Sequence, residues 1–211
     1  AVDAAAGSAL TAATTANTAA AAATVSAAQF VGSTQVWLKG ADSNKIAVTG
    51  VAATQTIGLD AVTGMDSSVT YAATVTAGSI ASNAAAGTLT VTGAALKSVA
   101  VSGTGSTGLT LVDGSTTDTI TTLSVATSGA TVVDVAGATA LTTVTSTGAG
   151  GVSLNGAGVK LATVTSGDGA DSIRITTTTI KDDLTTTTVN ETVTAAVTTG
   201  AGADSVRVAT T

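Results

Sequence analysis

A degenerate repeat of about 20 residues is the feature that most limits what this chain of 211 residues can fold into. Each unit reads as a short strand rich in β-branched residues, a glycine-rich turn and a second short strand. Equivalent aliphatic positions recur at steps of 24, 21, 20 and 33, at Val99, Leu123, Val144, Val164 and Val197. The last step contains an insertion, residues 176–190. Such repeats without a helical segment predict a β-solenoid, in which each unit forms one coil.

The composition fits a thin core between two closely spaced sheets. Aromatic residues make up 1% of the chain and charged residues 9%, whereas a typical domain has about 25% charged residues. Small and medium aliphatic side chains must therefore form the core, and these can fill the narrow interior of a coil. A β-sandwich, whose strands have similar spacing, is the alternative fold. The solenoid is favoured over the sandwich for 94–211, and the two fit 25–93 equally well.

Three parts of the chain differ in their sequence pattern. Residues 1–24 are about half alanine, which predicts either a helical arm or a low-complexity spacer. Alternating β-branched residues begin near Phe30, so 25–93 is expected to be an irregular all-β region. The repeats predict a solenoid over 94–211. The longest purely apolar run, Ala19–Ala23, is far too short for a transmembrane segment.

The residue types that the chain lacks exclude several kinds of site. There is no histidine and no cysteine, which excludes a Ser-His-Asp triad, a cysteine nucleophile, disulfides and histidine-based zinc sites. Lysine and arginine number 7 against 13 acidic residues, and the net charge is -6. That balance argues against a nucleic-acid interface. We therefore expect neither enzymatic activity nor a nucleic-acid partner.

Two segments stand out because they share one pattern of nine residues. Residues 166–174 and 199–207 both read Ser/Thr-Gly-x-Gly-Ala-Asp-Ser-aliphatic-Arg. The glycines permit a turn whose carbonyl groups point inward, and the aspartate adds a carboxylate. Calcium takes about six to eight oxygen ligands, many of them backbone carbonyls. The pattern therefore predicts a calcium site, and a turn in which the aspartate is only a local hydrogen-bond acceptor is the alternative.

Both segments resemble the calcium-binding nonapeptide of the RTX (repeats-in-toxin) proteins, with its first glycine changed to Ser166 or Thr199. The resemblance implies that Asp171 and Asp204 bind calcium together with carbonyl groups of the glycine-rich turns. Asp168 is an additional carboxylate nearby in sequence. The glycines concerned are Gly167, Gly169, Gly200 and Gly202. The motifs are 33 residues apart, so their turns can pair if the 176–190 insertion loops out between adjacent coils. Alternatively, each site is completed by another coil.

The composition and repeat pattern of the chain resemble those of bacterial surface-layer (S-layer) proteins of the RTX group. The chain is rich in alanine, threonine, glycine and valine and has few charged residues. The resemblance implies an extracellular protein of the bacterial cell surface that leaves the cell by type I secretion. Such proteins form a homo-oligomeric lattice or filament that calcium rigidifies, and a cell-surface polysaccharide is a candidate partner. A repeat module of a large RTX adhesin and the β-roll tail of a secreted enzyme are the alternatives.

Other polar and aromatic residues are expected to have structural roles. Asp113, Asp118 and Asp134 lie in or near predicted turns, where they can accept backbone hydrogen bonds. Trp37 and Phe30 predict a local hydrophobic plug.

Overall fold

The computed structural model of the protein describes residues 23–39, 45–62, 64–156, 161–177 and 195–210. Almost all of the predicted arm at 1–24 and most of the predicted insertion at 176–190 lie outside these residues. The described chain consists largely of strands and turns, with one short 3-10 helix, Ala27–Gln29.

The described residues contain fifteen strands. In chain order they are β1 (Ala23–Ser26), β2 (Gln35–Lys39), β3 (Ile46–Val51), β4 (Thr56–Asp60), β5 (Met65–Tyr71), β6 (Ala77–Thr92), β7 (Ser98–Asp113), β8 (Thr122–Thr127), β9 (Thr131–Gly137), β10 (Thr143–Ser146), β11 (Val152–Gly156), β12 (Thr163–Thr165), β13 (Ser172–Thr177), β14 (Ala196–Thr198) and β15 (Ser205–Thr210).

All the strand pairings among these residues are parallel, and they build two stacks. The first stack runs β2, β4, β6, β7, β8, β10, β12, β14. The second runs β1, β3, β5, β6, β7, β9, β11, β13, β15. The long strands β6 and β7 bend and belong to both stacks. Because the chain alternates between the stacks, it forms a parallel β-solenoid, and the predicted fold is confirmed.

The pairing register reproduces the sequence repeat. Val99 lies opposite Leu123, and Leu123 lies opposite Val144. Val144 then lies opposite Val164, and Val164 opposite Val197. Each step of the sequence repeat, including the one that contains the insertion, is therefore one coil of the solenoid.

The same stacking continues through the region where a sandwich was the equal alternative. Val36 lies opposite Ile57, Ile57 opposite Ile80, and Ile80 opposite Val101. All four side chains are buried between the stacks. Because aliphatic residues of successive coils stack on one another, each coil adds buried apolar area to the core. Burial of that area is the main source of stability. The N-terminal half is thus solenoid as well, and the pairing of β6 with β7 joins it to the rest.

The chain turns at two edges of the solenoid that differ in composition. At the first, which we call the glycine edge, it passes from the first stack to the second through residues 128–130, 147–151, 166–171 and 199–204. At the second, the loop edge, it returns from the second stack to the first. Among the described residues, the loop edge includes 114–121, 138–142, 161–162 and 195.

Tyr71, the single tyrosine of the chain, gives a test of the packed interior. Its buried hydroxyl donates a hydrogen bond to the Ser79 carbonyl at 3.1 Å. Burial raises the pKa of Tyr71 from 10.0 to about 12. Because the folded state favours the neutral phenol, its stability is expected to fall as the pH rises from the ordinary pKa towards the raised one.

We expect tyrosinate absorbance to titrate with a midpoint near 12 in the folded protein and near 10.0 in urea-denatured protein. The signal belongs to Tyr71 alone. A folded-state midpoint close to that of the denatured chain would show that the phenol is open to water and that the interior is not packed there.

Candidate metal centre

The two nine-residue segments lie on adjacent coils in register. Thr165 lies opposite Thr198 before the turns, and Ser172 lies opposite Ser205 after them, so the offset is 33 residues on both sides. β13 ends and β14 begins at the loop edge, on the other side of the solenoid, so the connection between them does not separate the two turns. The structure thus brings together the turns that the sequence places far apart.

Backbone hydrogen bonds connect the two turns directly. The N–H of Ser166 donates to the Thr198 carbonyl at 2.8 Å, and the N–H of Gly169 donates to the Ala201 carbonyl at 2.8 Å. The N–H of Ser205 donates to the carbonyl of Asp171 at 2.7 Å. The parallel ladder therefore continues around the glycine edge, where it holds the carbonyl-rich turns one above the other.

The glycines of both motifs are needed because the backbones of the two turns lie in direct contact. A Cβ at Gly202 would overlap the carbonyl group of Gly169, and one at Gly200 would overlap the carbonyl oxygen of Gly167. Gly169 and Gly202 also have φ angles of +115° and +149°, which side-chain-bearing residues rarely adopt. These positions therefore admit little but glycine, for a reason that does not depend on a metal ion.

Asp171 is the enclosed carboxylate of the two motifs, with a relative exposure of 2%. Its Oδ1 accepts a hydrogen bond from the N–H of Val152, one coil earlier, at 2.8 Å. Its Oδ2 is buried and has no hydrogen-bond partner. A buried carboxylate oxygen without a partner is costly, so this oxygen points to a bound cation or an ordered water.

Asp204 repeats part of this arrangement one coil later. Its Oδ1 accepts the N–H of Asp171 at 3.1 Å, and its side chain is half-buried. Asp168 is exposed, and its Oδ1 accepts the N–H of Ala201 at 3.4 Å. All three aspartates thus accept a backbone N–H of a neighbouring coil. They therefore act as hydrogen-bond acceptors, as the alternative to a calcium site predicts. The buried Oδ2 of Asp171 is not explained by that role, because it accepts no hydrogen bond.

Hydroxyl groups line the interior along the glycine edge. In the earlier coils they donate to carbonyl groups: Ser82 to Gly105, Ser106 to Val132 and Thr127 to Gly129. In the next two coils the hydroxyls of Ser146 and Ser166 are buried and have no partner. The sequence analysis missed both serines as functional candidates. The one signal it contained was the replacement of the first glycine of each motif by Ser166 or Thr199.

The donor set suits calcium in kind. Within the described ranges, no three side chains of the types Asp, Glu, His and Cys are grouped closely enough to hold a metal ion. Carbonyl groups and hydroxyls would therefore supply most of the ligands, and calcium accepts such oxygens readily. The fit rests on Asp171, whose buried Oδ2 has no other partner.

The three aspartates outside the motifs have the structural role expected of them, whereas the plug of Trp37 with Phe30 stays a prediction. Asp113, Asp118 and Asp134 all accept backbone N–H groups at or beside the loop edge. The Trp37 indole lies against the neighbouring strand, where a Cβ on Gly58 would overlap its ring, and its N–H donates to the Gln35 side chain at 3.0 Å. Phe30 packs against the core.

Comparison with known proteins adds no relative: no family model, no curated protein and no solved structure matches this chain. Among the described residues, there is no helix with the length and apolar character needed to cross a membrane. The stacked turns and their buried oxygens are therefore the observations from which a function can be argued.

Proposed function

We propose that the protein is a structural, self-assembling protein of the bacterial cell surface, an S-layer protein of the RTX group, and that calcium rigidifies it. The observation that carries the proposal is the stacking of two calcium-type turns around Asp171, whose buried Oδ2 has no partner. The uniform parallel solenoid supports a structural role, because a stack of coils forms a long and regular body.

Asp171 and Asp204 would hold the ion together with carbonyl groups of the motif glycines, which are Gly167, Gly169, Gly200 and Gly202. Asp168 is a more exposed carboxylate beside them. Bound calcium supplies positive charge that offsets the carboxylates and fixes the two turns against each other. Because such an ion binds the folded turns and not the open chain, calcium binding and folding are coupled. Extracellular calcium would then complete the fold after export by type I secretion.

A homo-oligomeric lattice or filament, with a cell-surface polysaccharide as a candidate partner, belongs to the same proposal.

The calcium component predicts that calcium raises the melting temperature of EGTA-treated protein by several degrees. The double variant Asp171→Ala/Asp204→Ala should lose this response, because it removes both motif carboxylates. Asp134→Ala is the matched control: that carboxylate also accepts a backbone N–H but lies outside the motifs, so the response to calcium should persist. Thermal melts followed by circular dichroism give the measurement, and an unchanged melt up to millimolar calcium would contradict calcium binding.

The assembly component is tested by electron microscopy of the calcium-loaded protein. Ordered sheets or tubes are the expected result for a surface-layer protein. Dispersed single rods that bind a glycan or another cell would instead favour the adhesin module. Catalytic activity in the full-length gene product would favour the tail of a secreted enzyme.

A further inference from the structure

We propose that the hydroxyl groups of Ser146 and Ser166 are additional ligands of the calcium ion held by Asp171. This inference rests on the proposed function, since it concerns the same ion. It goes further because neither serine is among the aspartates and glycines that the nine-residue pattern assigns to calcium. It also places the ion on the inner side of the turn.

The first argument is that three oxygens in this region lack a partner. Ser146 and Ser166 are 4% and 5% exposed and Asp171 is 2% exposed. The Oγ atoms of both serines and the Oδ2 of Asp171 are the buried side-chain atoms without a hydrogen-bond partner in the described chain. Buried polar groups are rarely left unpaired in native proteins. Three such atoms in adjacent coils are therefore candidate ligands of one bound ion.

The second argument is their placement. Thr145 lies opposite Thr165, so the residues that follow, Ser146 and Ser166, stand one coil apart in the same column. Ser166 begins the turn that Asp171 completes, and both side chains are directed into the interior, as their burial requires. The hydroxyls and the carboxylate thus belong to the same stretch of the glycine edge.

The third argument is how the interior changes along that edge. Ser146 lies opposite Val125, and Val125 lies opposite Val101, so the column of the two serines is aliphatic in the preceding coils. Asp171 follows Val152 in its own column, because Ser153 lies opposite Ser172. Polar oxygens therefore replace aliphatic side chains in both columns, and one of these oxygens is anionic. Hard cations prefer such ligands.

The proposal also explains why both motifs depart from the nonapeptide at the same place. The pattern has glycine where this chain has Ser166 and Thr199. Glycine offers only its carbonyl group, whereas serine and threonine add a hydroxyl oxygen. With few carboxylates grouped at the site, additional neutral oxygens help to reach the coordination number that calcium requires.

The test is calcium titration calorimetry on the full chain, with thermal melts in EGTA and in calcium. Ser146→Ala/Ser166→Ala should lower calcium affinity at least about tenfold, since ligands to a charged ion are lost. The same variant should be at least as stable as the original protein in EGTA, because it removes two unpaired buried hydroxyls. Ser166→Thr keeps the hydroxyl and should retain most of the affinity.

Ser106→Ala is the matched control at the same edge. Its hydroxyl is satisfied by the Val132 carbonyl at 2.7 Å, so this variant should lose stability equally with and without calcium and keep its affinity. If calcium binds and the double serine variant binds it with unchanged affinity, the inference is overturned while the proposed function stands. If the original protein does not bind calcium, both are overturned.

Discussion

Replacing Gly150 by alanine is expected to destabilise the protein by about 3 kcal/mol, whereas the same change at Gly108 should be neutral or slightly stabilising. A Cβ at Gly150 would overlap the carbonyl group of Gly129 in the neighbouring coil. Those atoms are backbone, so they can move only by disturbing the ladder of hydrogen bonds. A Cβ at Gly108 meets nothing within 4 Å.

The two glycine variants control for each other, because the chemical change is identical. Urea denaturation of both in EGTA, followed by circular dichroism, measures the difference in the free energy of unfolding. Equal stabilities would show that the coils are not in backbone contact at the glycine edge. In that case the account of why glycine recurs there would be wrong.

Asp113→Ala is expected to cost about 3 kcal/mol, because one buried carboxylate holds the whole turn between β7 and β8. Its Oδ2 accepts the N–H groups of Thr119 and Ile120 at 2.6 and 2.8 Å, and its Oδ1 accepts that of Ser115 at 3.0 Å. Ile120 is fully buried, so water cannot replace the lost acceptor there. Asp134→Ala, at a more exposed carboxylate, should cost no more than about 1 kcal/mol.

The same carboxylate makes the effect depend on pH. Burial alone would raise the pKa of Asp113, but the hydrogen bonds from Ile120, Ser115 and Thr119 outweigh burial and lower the pKa below its ordinary 3.8. A lowered folded-state pKa means that the contribution is complete above the unfolded-state value and is lost as the pH falls through the folded-state value. The stability gap between the original protein and Asp113→Ala should therefore shrink in acid. Urea denaturation from neutral pH to below pH ~4 measures it, and a constant gap would mean that the carboxylate does not act in its charged form.

The solenoid could be predicted from the C-terminal half because equivalent aliphatic residues recur at nearly regular steps. Val144 and Val164, for instance, lie opposite each other as the repeat predicts. The N-terminal half left the sandwich open partly because β6 passes around the glycine edge as one continuous strand of 16 residues. It bends at Ala84, whose φ angle is positive. An alanine at a bend gives no turn signal in the sequence.

The site could be predicted only in part. Asp171 and Asp204 stand out because their motifs nearly repeat each other. Their turns touch because β13 ends and β14 begins at the opposite edge, and the position of these strand ends is a property of the whole coil. Ser146 carries no local signal in a chain so rich in small residues, and Ser166 carries only its replacement of the first motif glycine. Their significance comes from burial, which is set by stacking and not by neighbours in sequence.

The two edges also differ in whether they can accept larger side chains or inserted residues. At the glycine edge, substituents at Gly148 and Gly150 would meet backbone, whereas at the loop edge those at Gly114 and Gly137 would meet side chains. The connection from β13 to β14 is longer than the one from β9 to β10 at this edge, yet the flanking strands keep their register. Lengthening a loop costs little entropy once it is long. One side of this solenoid is therefore a natural place for grafting foreign peptides, in rows spaced by the strand separation of about 4.8 Å, while the opposite side must keep its sequence.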